Sequence, residues 1–198
     1  WDLEKFRGAE ERIGSAMKSV GEVMAIGRTF EEALQKAVRM LASHLEGVTS
    51  NSFSHAEIIR YLSVPTPKRL FALAAALKHN ISIKKIYSLT GIDPWFLYRI
   101  REIVQAEISL PKRWGGIKGE VDHEILLHMK QLGFSDKRIG TLVGQSESAI
   151  TKLRRKLKIR PSVFQIDTLA GEVPAKTNYL YLTYNGSHHD VKPLGRNS

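Results

Sequence analysis

The densest chemistry in the chain lies between residues 133 and 161, "GFSDKRIGTLVGQSESAITKLRRKLKIRP". Lys152, Arg154, Arg155, Lys156 and Lys158 crowd one short stretch with no acid among them. Such a run on a helix neutralises phosphates, so nucleic-acid binding is the first chemistry to weigh. Ser135 predicts the cap of a helix over Asp136 to Val143, and Gly144 a turn. Ser146 predicts the cap of a second helix reaching about Ile159. Ile139, Gly140, Val143, Ile150 and Leu153 have the spacing of a DNA-binding helix-turn-helix. Two residues count against that reading. Gln145 stands where such elements prefer an apolar side chain, and Glu147 would face the phosphates and repel them.

Other chemistry is sparse. The chain has no cysteine, which removes thiol nucleophiles, thiolate zinc, iron–sulfur clusters and disulfides together. His123 and His128 are five residues apart, so they do not share a helix face. His188, His189 and Asp190 lie in a polar terminal stretch. Lys18 with Glu22, and Asp167 with Glu172, read most simply as solvated or turn-forming groups. No phosphate-cradling glycine loop precedes a helix, and no carboxylate pair is spaced on a strand for metal binding. Catalytic, cofactor-binding and metal-ligating residues are therefore expected to be none.

The elements that carry these residues are helices. The chain of 198 residues is 42% hydrophobic, enough for a core, and its net charge is +10. That charge fits a nucleic acid, an anionic ligand or an acidic protein surface. No apolar run is long enough to span a membrane. The first residue is Trp, which reads as a piece of something longer.

Residues 1 to 28 carry four glycines and read as loop with short extended pieces. "TFEEALQKAVRMLASHL" predicts a helix with a Thr29–Glu32 capping box, Phe30, Ala33, Leu34, Ala37, Val38 and Leu41 facing the core. Ser54 and Glu57 form a second box for a helix through Tyr61. Thr66-Pro67 opens a buried helix, "KRLFALAAALKH". "ISIKKIYSLTGIDPWFLYRIREIV" is then a second helix-turn-helix with Gly91 at the turn, Asp93 as cap and Pro94 opening the helix. Shifted by 53 residues, it lies on the first without a gap: Ser82 on Ser135, Ile86 on Ile139, Gly91 on Gly144, Arg101 on Arg154. This is a duplicated three-helix unit. Only the second copy has the basic run. The first has Pro94, Trp95, Phe96 and Leu97 where a DNA reader presents polar groups, and a bulky apolar cluster there suits packing on protein. Trp95, Phe96 and Tyr98 cannot all face one core, because consecutive helical side chains diverge by about 100°, so at least one is expected to emerge on the lobe surface. Beside Arg99 and Arg101 such a ring is an interface anchor, and the alternative is that Trp95 tucks between the two lobes. "LPKRWGGIKGEV" reads as a Pro/Gly connector. "SVFQIDTLAGEVPAKTNYLYLTYNG" reads as extended segments, and "SHHDVKPLGRNS" as a solvated tail. The fold class is mainly α: a duplicated, helix-turn-helix-like, two-lobed domain with short extended segments at both ends.

"MKSVGEVMAIGRTFEEALQKAVRML", "LTGIDPWFLYRIREIV", "LGFSDKRI" and "QIDTLAGEVPAKTNYLYLTYNG" resemble, in that order, the carbamoyl phosphate synthetase large chain, eukaryotic type. The resemblance implies that 1–28 is the tail of the carboxyphosphate-forming half. It makes 29–163 the helical connection or oligomerisation domain, 164–191 the extended lead-in to the second half, and 192–198 a tail. "LAGEV" departs from the family, which more often has Ala-Ala-Glu and an aromatic. The implied role is non-catalytic: fixing two ATP-using halves that make carbamoyl phosphate from bicarbonate, ammonia from glutamine, and two ATP. ATP and Mg²⁺ belong to the parent enzyme, not to this segment. The implied partners are the two synthetase halves, a glutaminase subunit or domain, and a second copy of the chain, with no membrane. The implied compartment is intracellular, cytoplasm or mitochondrion. The competing reading is a helix-turn-helix DNA-binding protein using residues 135–159.

Overall fold

The computed structural model describes residues 7–17, 21–41, 44–115, 123–166, 172–173 and 179–191. Eight helices and two strands occur among them: α1 Phe30–Met40, α2 His55–Ser63, α3 Arg69–Lys78, α4 Ile83–Thr90, α5 Pro94–Arg113, α6 His123–Gln131, α7 Asp136–Val143, α8 Glu147–Lys156, β1 Ser162–Ile166 and β2 Tyr179–Thr183. The strands pair antiparallel, from Ser162 opposite Thr183 to Ile166 opposite Tyr179.

The duplication is visible element by element. Each copy runs through three helices in the same order, α3–α4–α5 and α6–α7–α8. Ser82 and Ser135 cap α4 and α7 through the backbone N–H groups of Lys85 and Arg138. Gly91 and Gly144 close those helices at φ 67° and 69°, a left-handed turn that a Cβ opposes. The register reaches into the loops. Asn80 and Gly133, also 53 apart, both have positive φ, 60° and 87°. The next N–H groups, of Ile81 and Phe134, donate to Ala76 and Met129 C=O, the same helix ending made twice. One continuous core links the copies, from Ala72–Leu77 of α3 through Leu97, Ile100 and Ile103 of α5 to Leu126, Ile139 and Ile150.

Several expectations need correction. The helix after Thr29 stops at Met40; Val38 is buried as expected, but the other buried residues are polar, Glu31, Glu32 and Gln35. Phe30 and Leu34 are only half buried. Part of the surface under α1, around Gln35, is loop backbone. A Cβ on Gly133 would stand 2.9 Å from Gln35 Cβ, and Gln35 Oε1 accepts from Val48 N–H at 2.9 Å. Backbone groups demand hydrogen-bonding side chains, so the polar stripe wins. The Thr29–Glu32 box is half formed: Thr29 accepts from Glu32 N–H, but the Glu32 carboxylate accepts from Arg28 N–H instead. By contrast the Ser54–Glu57 box is complete. Thr66–Lys68 forms a turn, and α3 begins only at Arg69.

Helix α5 runs past Val104 into the expected connector as far as Arg113, with Pro111 inside it. Pro111 lies in the last turn, where its missing N–H forfeits one bond, and buried Glu107 and Leu110 anchor that turn. The stretch after Gly186 is docked rather than a free tail: Asp190 N–H donates to Val163 C=O, and Val163 N–H donates to His189 Nδ1. The outer edge of β1 thus finds partners. Lys18, Asp167, the connector from 116 to 122, the Leu169–Gly171 part of the departing "LAGEV", and 192–198 lie outside the described residues.

Candidate interface

The aromatic segment is set by its cap. Asp93 Oδ1 accepts from Trp95 N–H at 2.8 Å and Pro94 opens the helix, which fixes the rotation of α5. Leu97 and Ile100 then point inward, 0% and 2% exposed. Trp95, Phe96 and Tyr98 point outward at 52%, 43% and 42% exposed. All three emerge, so the alternative of Trp95 tucked between the lobes fails. Phe30 from α1 joins them, its ring 5.6 Å from Trp95 and 5.4 Å from Phe96, both edge-on. Arg99 lies 5.9 Å over Trp95 and Arg101 4.5 Å over Tyr98. Arg99 is held from behind by Glu31 at 3.4 Å and Glu102 at 3.0 Å. A half-wet cluster of three packed rings edged by arginines is the make-up of an interface anchor. The second copy has Ser148, Ala149 and Thr151 at the equivalent positions and builds no such cluster.

The basic run loses one member: Lys152, Arg155 and Lys156 share an exposed face of α8, and Arg154 does not. Arg154 turns inward, its Nε 3.0 Å from Asp136 Oδ2, and also donates to Ile159 C=O. Only Lys152, Arg155, Lys156 and Lys158 are exposed. Arg154 thus leaves the DNA-binding set for a buried network. There Asp136 accepts from Lys130 at 2.8 Å and Thr151 at 2.9 Å as well. Burial raises the Asp136 pKa, but the bonds and charge of Lys130, with Thr151 and Arg154, hold it below the ordinary range. Burial pulls Lys130 below the usual lysine range, and Asp136 opposes that pull.

Two further buried carboxylates organise the chain. Glu107 on α5 is 3% exposed and binds Lys78 of α3 and Arg138 of α7, at 3.3 and 2.8 Å. It also accepts from the Thr49 hydroxyl, so it ties the two copies and the loop before α2. Glu32 on α1 is 1% exposed and joins Lys36, Arg28, Thr183 and Asn185. Glu107 was detectable in the sequence, as an acid standing in the apolar stripe Ile100, Ile103, Val104, Leu110. Glu32 was hidden behind its capping position.

The remaining candidates are dispersed. His123, His128, Glu22 and Glu172 are exposed. His188 approaches Asp190 at 3.6 Å. Among the described residues no three His, Asp or Glu groups stand together as a metal site. The buried acids are already committed to basic or hydroxyl partners, so this donor set does not fit Mg²⁺ or an ATP phosphate chain.

The sequence profile of the carbamoyl-phosphate synthetase large chain, oligomerisation domain, matches residues 22–158. The chain is 48% identical to the carbamoyl-phosphate synthase [ammonia], mitochondrial, of Rattus norvegicus, over 97% of this chain and 13% of that protein. It is 50% identical to the multifunctional protein CAD of Squalus acanthias, over 96% of this chain and 8% of that protein. The arginine-specific large chain, mitochondrial, of Schizosaccharomyces pombe is 47% identical, over 96% and 16% respectively. The chain thus spans a small part of the length of these relatives. Nothing in these matches supports DNA binding.

Proposed function

Because the chain belongs to the carbamoyl-phosphate synthetase large-chain family, as its oligomerisation domain, we propose that it joins and orients two ATP-using halves of a parent enzyme. Those halves make carbamoyl phosphate from bicarbonate, glutamine-derived ammonia and two ATP, with Mg²⁺ on the phosphates. The domain itself does no chemistry. It holds the halves so that an unstable intermediate passes between them. In this reading 1–28 ends the carboxyphosphate-forming half, 29–163 is the connecting domain, 164–191 leads into the second half and 192–198 is a tail. The observation that carries the reading is the exposed ring cluster on a domain whose buried charges are otherwise committed inside it.

Trp95, Phe96 and Tyr98 are its docking residues. Phe30, which shares their patch, follows the 1–28 flank directly, so the half that flank ends is the favoured occupant. A glutaminase subunit and a second copy of the chain are further partners. Among the described residues no helix is long and apolar enough to cross a membrane. Mitochondrial relatives make a mitochondrial or cytoplasmic parent the working assignment.

The test replaces residues 29–163 of the parent enzyme with a flexible linker and measures ATP split per carbamoyl phosphate formed. The ratio should rise while ATP turnover by the separate halves persists. An unchanged ratio overturns the proposal.

A further inference from the structure

The segment just before α1 and the segment at the end of β2 meet on α1. Before the helix, Lys36 Nζ donates to Ile26 C=O at 2.8 Å, and Glu32 Oε2 accepts from Arg28 N–H at 3.0 Å. Gly27 lies so close that a Cβ there would stand 2.9 Å from Ala33 N. From the other end of the chain, Lys36 Nζ donates to Leu182 C=O at 2.6 Å. Glu32 Oε2 accepts from Thr183 Oγ1 at 2.8 Å and from Asn185 Nδ2 at 3.1 Å. The two side chains close on each other at 2.8 Å. Asn185 also donates to Gln131 C=O at 3.0 Å, so the second repeat is drawn into the same node. The Arg28 guanidinium then lies 4.6 Å over the Phe164 ring of β1. Thr183 is fully buried and Glu32 nearly so, and burial strengthens each of these bonds.

We infer that Glu32 and Lys36 are positioning residues: a clasp that locks the segment entering the helical domain to the segment leaving it. The inference rests on the proposed function, in which those segments lead to the two synthetase halves. With the clasp closed, the entry at 26–28 and the exit at 182–185 share one rigid seat, and displacement of one flank is transmitted to the other. A helical spacer alone would fix the flanks only through its overall shape. The clasp fixes them through a side-chain pair four residues apart on one helix face.

The test uses Lys36→Met and, as a milder change, Thr183→Val. Hydrogen exchange is read for 26–28, 162–166 and 179–185 against the helices of the two repeats. Both variants should speed exchange in the flanking segments by about tenfold or more, with the α4 and α7 amides unchanged. In the parent enzyme the same variants should raise ATP split per carbamoyl phosphate while leaving the ATP turnover of each half intact. Unaltered exchange in both variants overturns the clasp and leaves the proposed function standing. Faster exchange with wild-type coupling overturns the positioning role. The linker replacement, not these variants, decides the proposed function itself.

Discussion

Shifted by 53 residues, Lys130, Asp136 and Thr151 fall on Leu77, Ile83 and Tyr98. Of these, Leu77 is buried, Ile83 half buried and Tyr98 exposed, so the first repeat has apolar residues and no ionic set where the second buries one. Removing one member of a buried ionic set leaves the others uncompensated, so Asp136→Ala should cost about 3–5 kcal/mol in urea melts. The double change Lys130→Leu with Asp136→Ile, copied from the first repeat, should cost less than Asp136→Ala alone, since apolar replacement of a buried pair is often near neutral. A double variant weaker than the single would show that the ions add net stability. The same carboxylates set the acid limit. For Asp136 and Glu32, burial raises the pKa, but hydrogen bonds from Lys130 or Lys36 and their neighbours bring it below the ordinary carboxylate range. A depressed folded pKa gives stability that is present above the unfolded value and lost as pH falls through the folded one. Circular dichroism should therefore show stability draining from the ordinary carboxylate range downward, and Asp136→Asn should flatten that fall.

At the level of elements, most of the repeat was legible because its signals are local. Ser82, Ser135, Ser146 and Asp93 announce helix starts, and Gly91 and Gly144 announce stops. The 53-residue register supplied the duplication. What was not legible depends on partners far along the chain. The polar side of α1 is buried because loop backbone lies beneath Gln35 and the Arg99, Thr183 and Asn185 side chains meet Glu31 and Glu32, and the run of α5 past Pro111 is anchored by Glu107 through Arg138. The inward turn of Arg154 needs Asp136, which reads on its own as an ordinary first-turn acid. That at least one aromatic emerges was legible from helical geometry, whereas the exposure of all three and the contact with Phe30 were not. The hairpins also differ in a testable way. Gly144 has open space around its missing Cβ, so Gly144→Ala meets only the left-handed strain, about 1 kcal/mol. A Cβ on Gly140 would stand 2.6 Å from Gln145 C=O, where the first copy has Tyr87. Gly140→Ala should therefore lower stability by more than Gly144→Ala, and equal urea midpoints would contradict the close approach. On α8, Arg154→Ala should cost about 2 kcal/mol or more, while exposed Arg155→Ala should stay within about 0.5 kcal/mol.

For the whole molecule, net charge and exposed rings decide what a partner meets. Glu31, Glu32, Glu107 and Asp136 are enclosed, but they are four of the chain's 20 acids and Lys130 is buried with them, so the net charge of +10 is carried mainly by exposed groups. The chain is basic overall, and the Phe30–Trp95–Phe96 cluster, which we propose as the anchor, adds an apolar patch. These two features act on different parts of an association. Positive charge steers encounter and is screened by salt, whereas a desolvated ring governs dissociation. Trp95 is half exposed, so Trp95→Ala should lose only its edge-on ring contacts, about 0.5–1.5 kcal/mol of fold stability. Leu97→Ala, one residue on and fully buried, should lose about 2–5 kcal/mol. Docking should rank the other way. With the isolated carboxyphosphate-forming half as partner, surface plasmon resonance should show Trp95→Ala dissociating at least tenfold faster, with association slowed little. Raising salt on the wild type should instead slow association and leave dissociation nearly unchanged. If Trp95→Ala docks like the wild type, the ring cluster is not the anchor. If it unfolds like Leu97→Ala, the indole belongs to the core rather than to the surface.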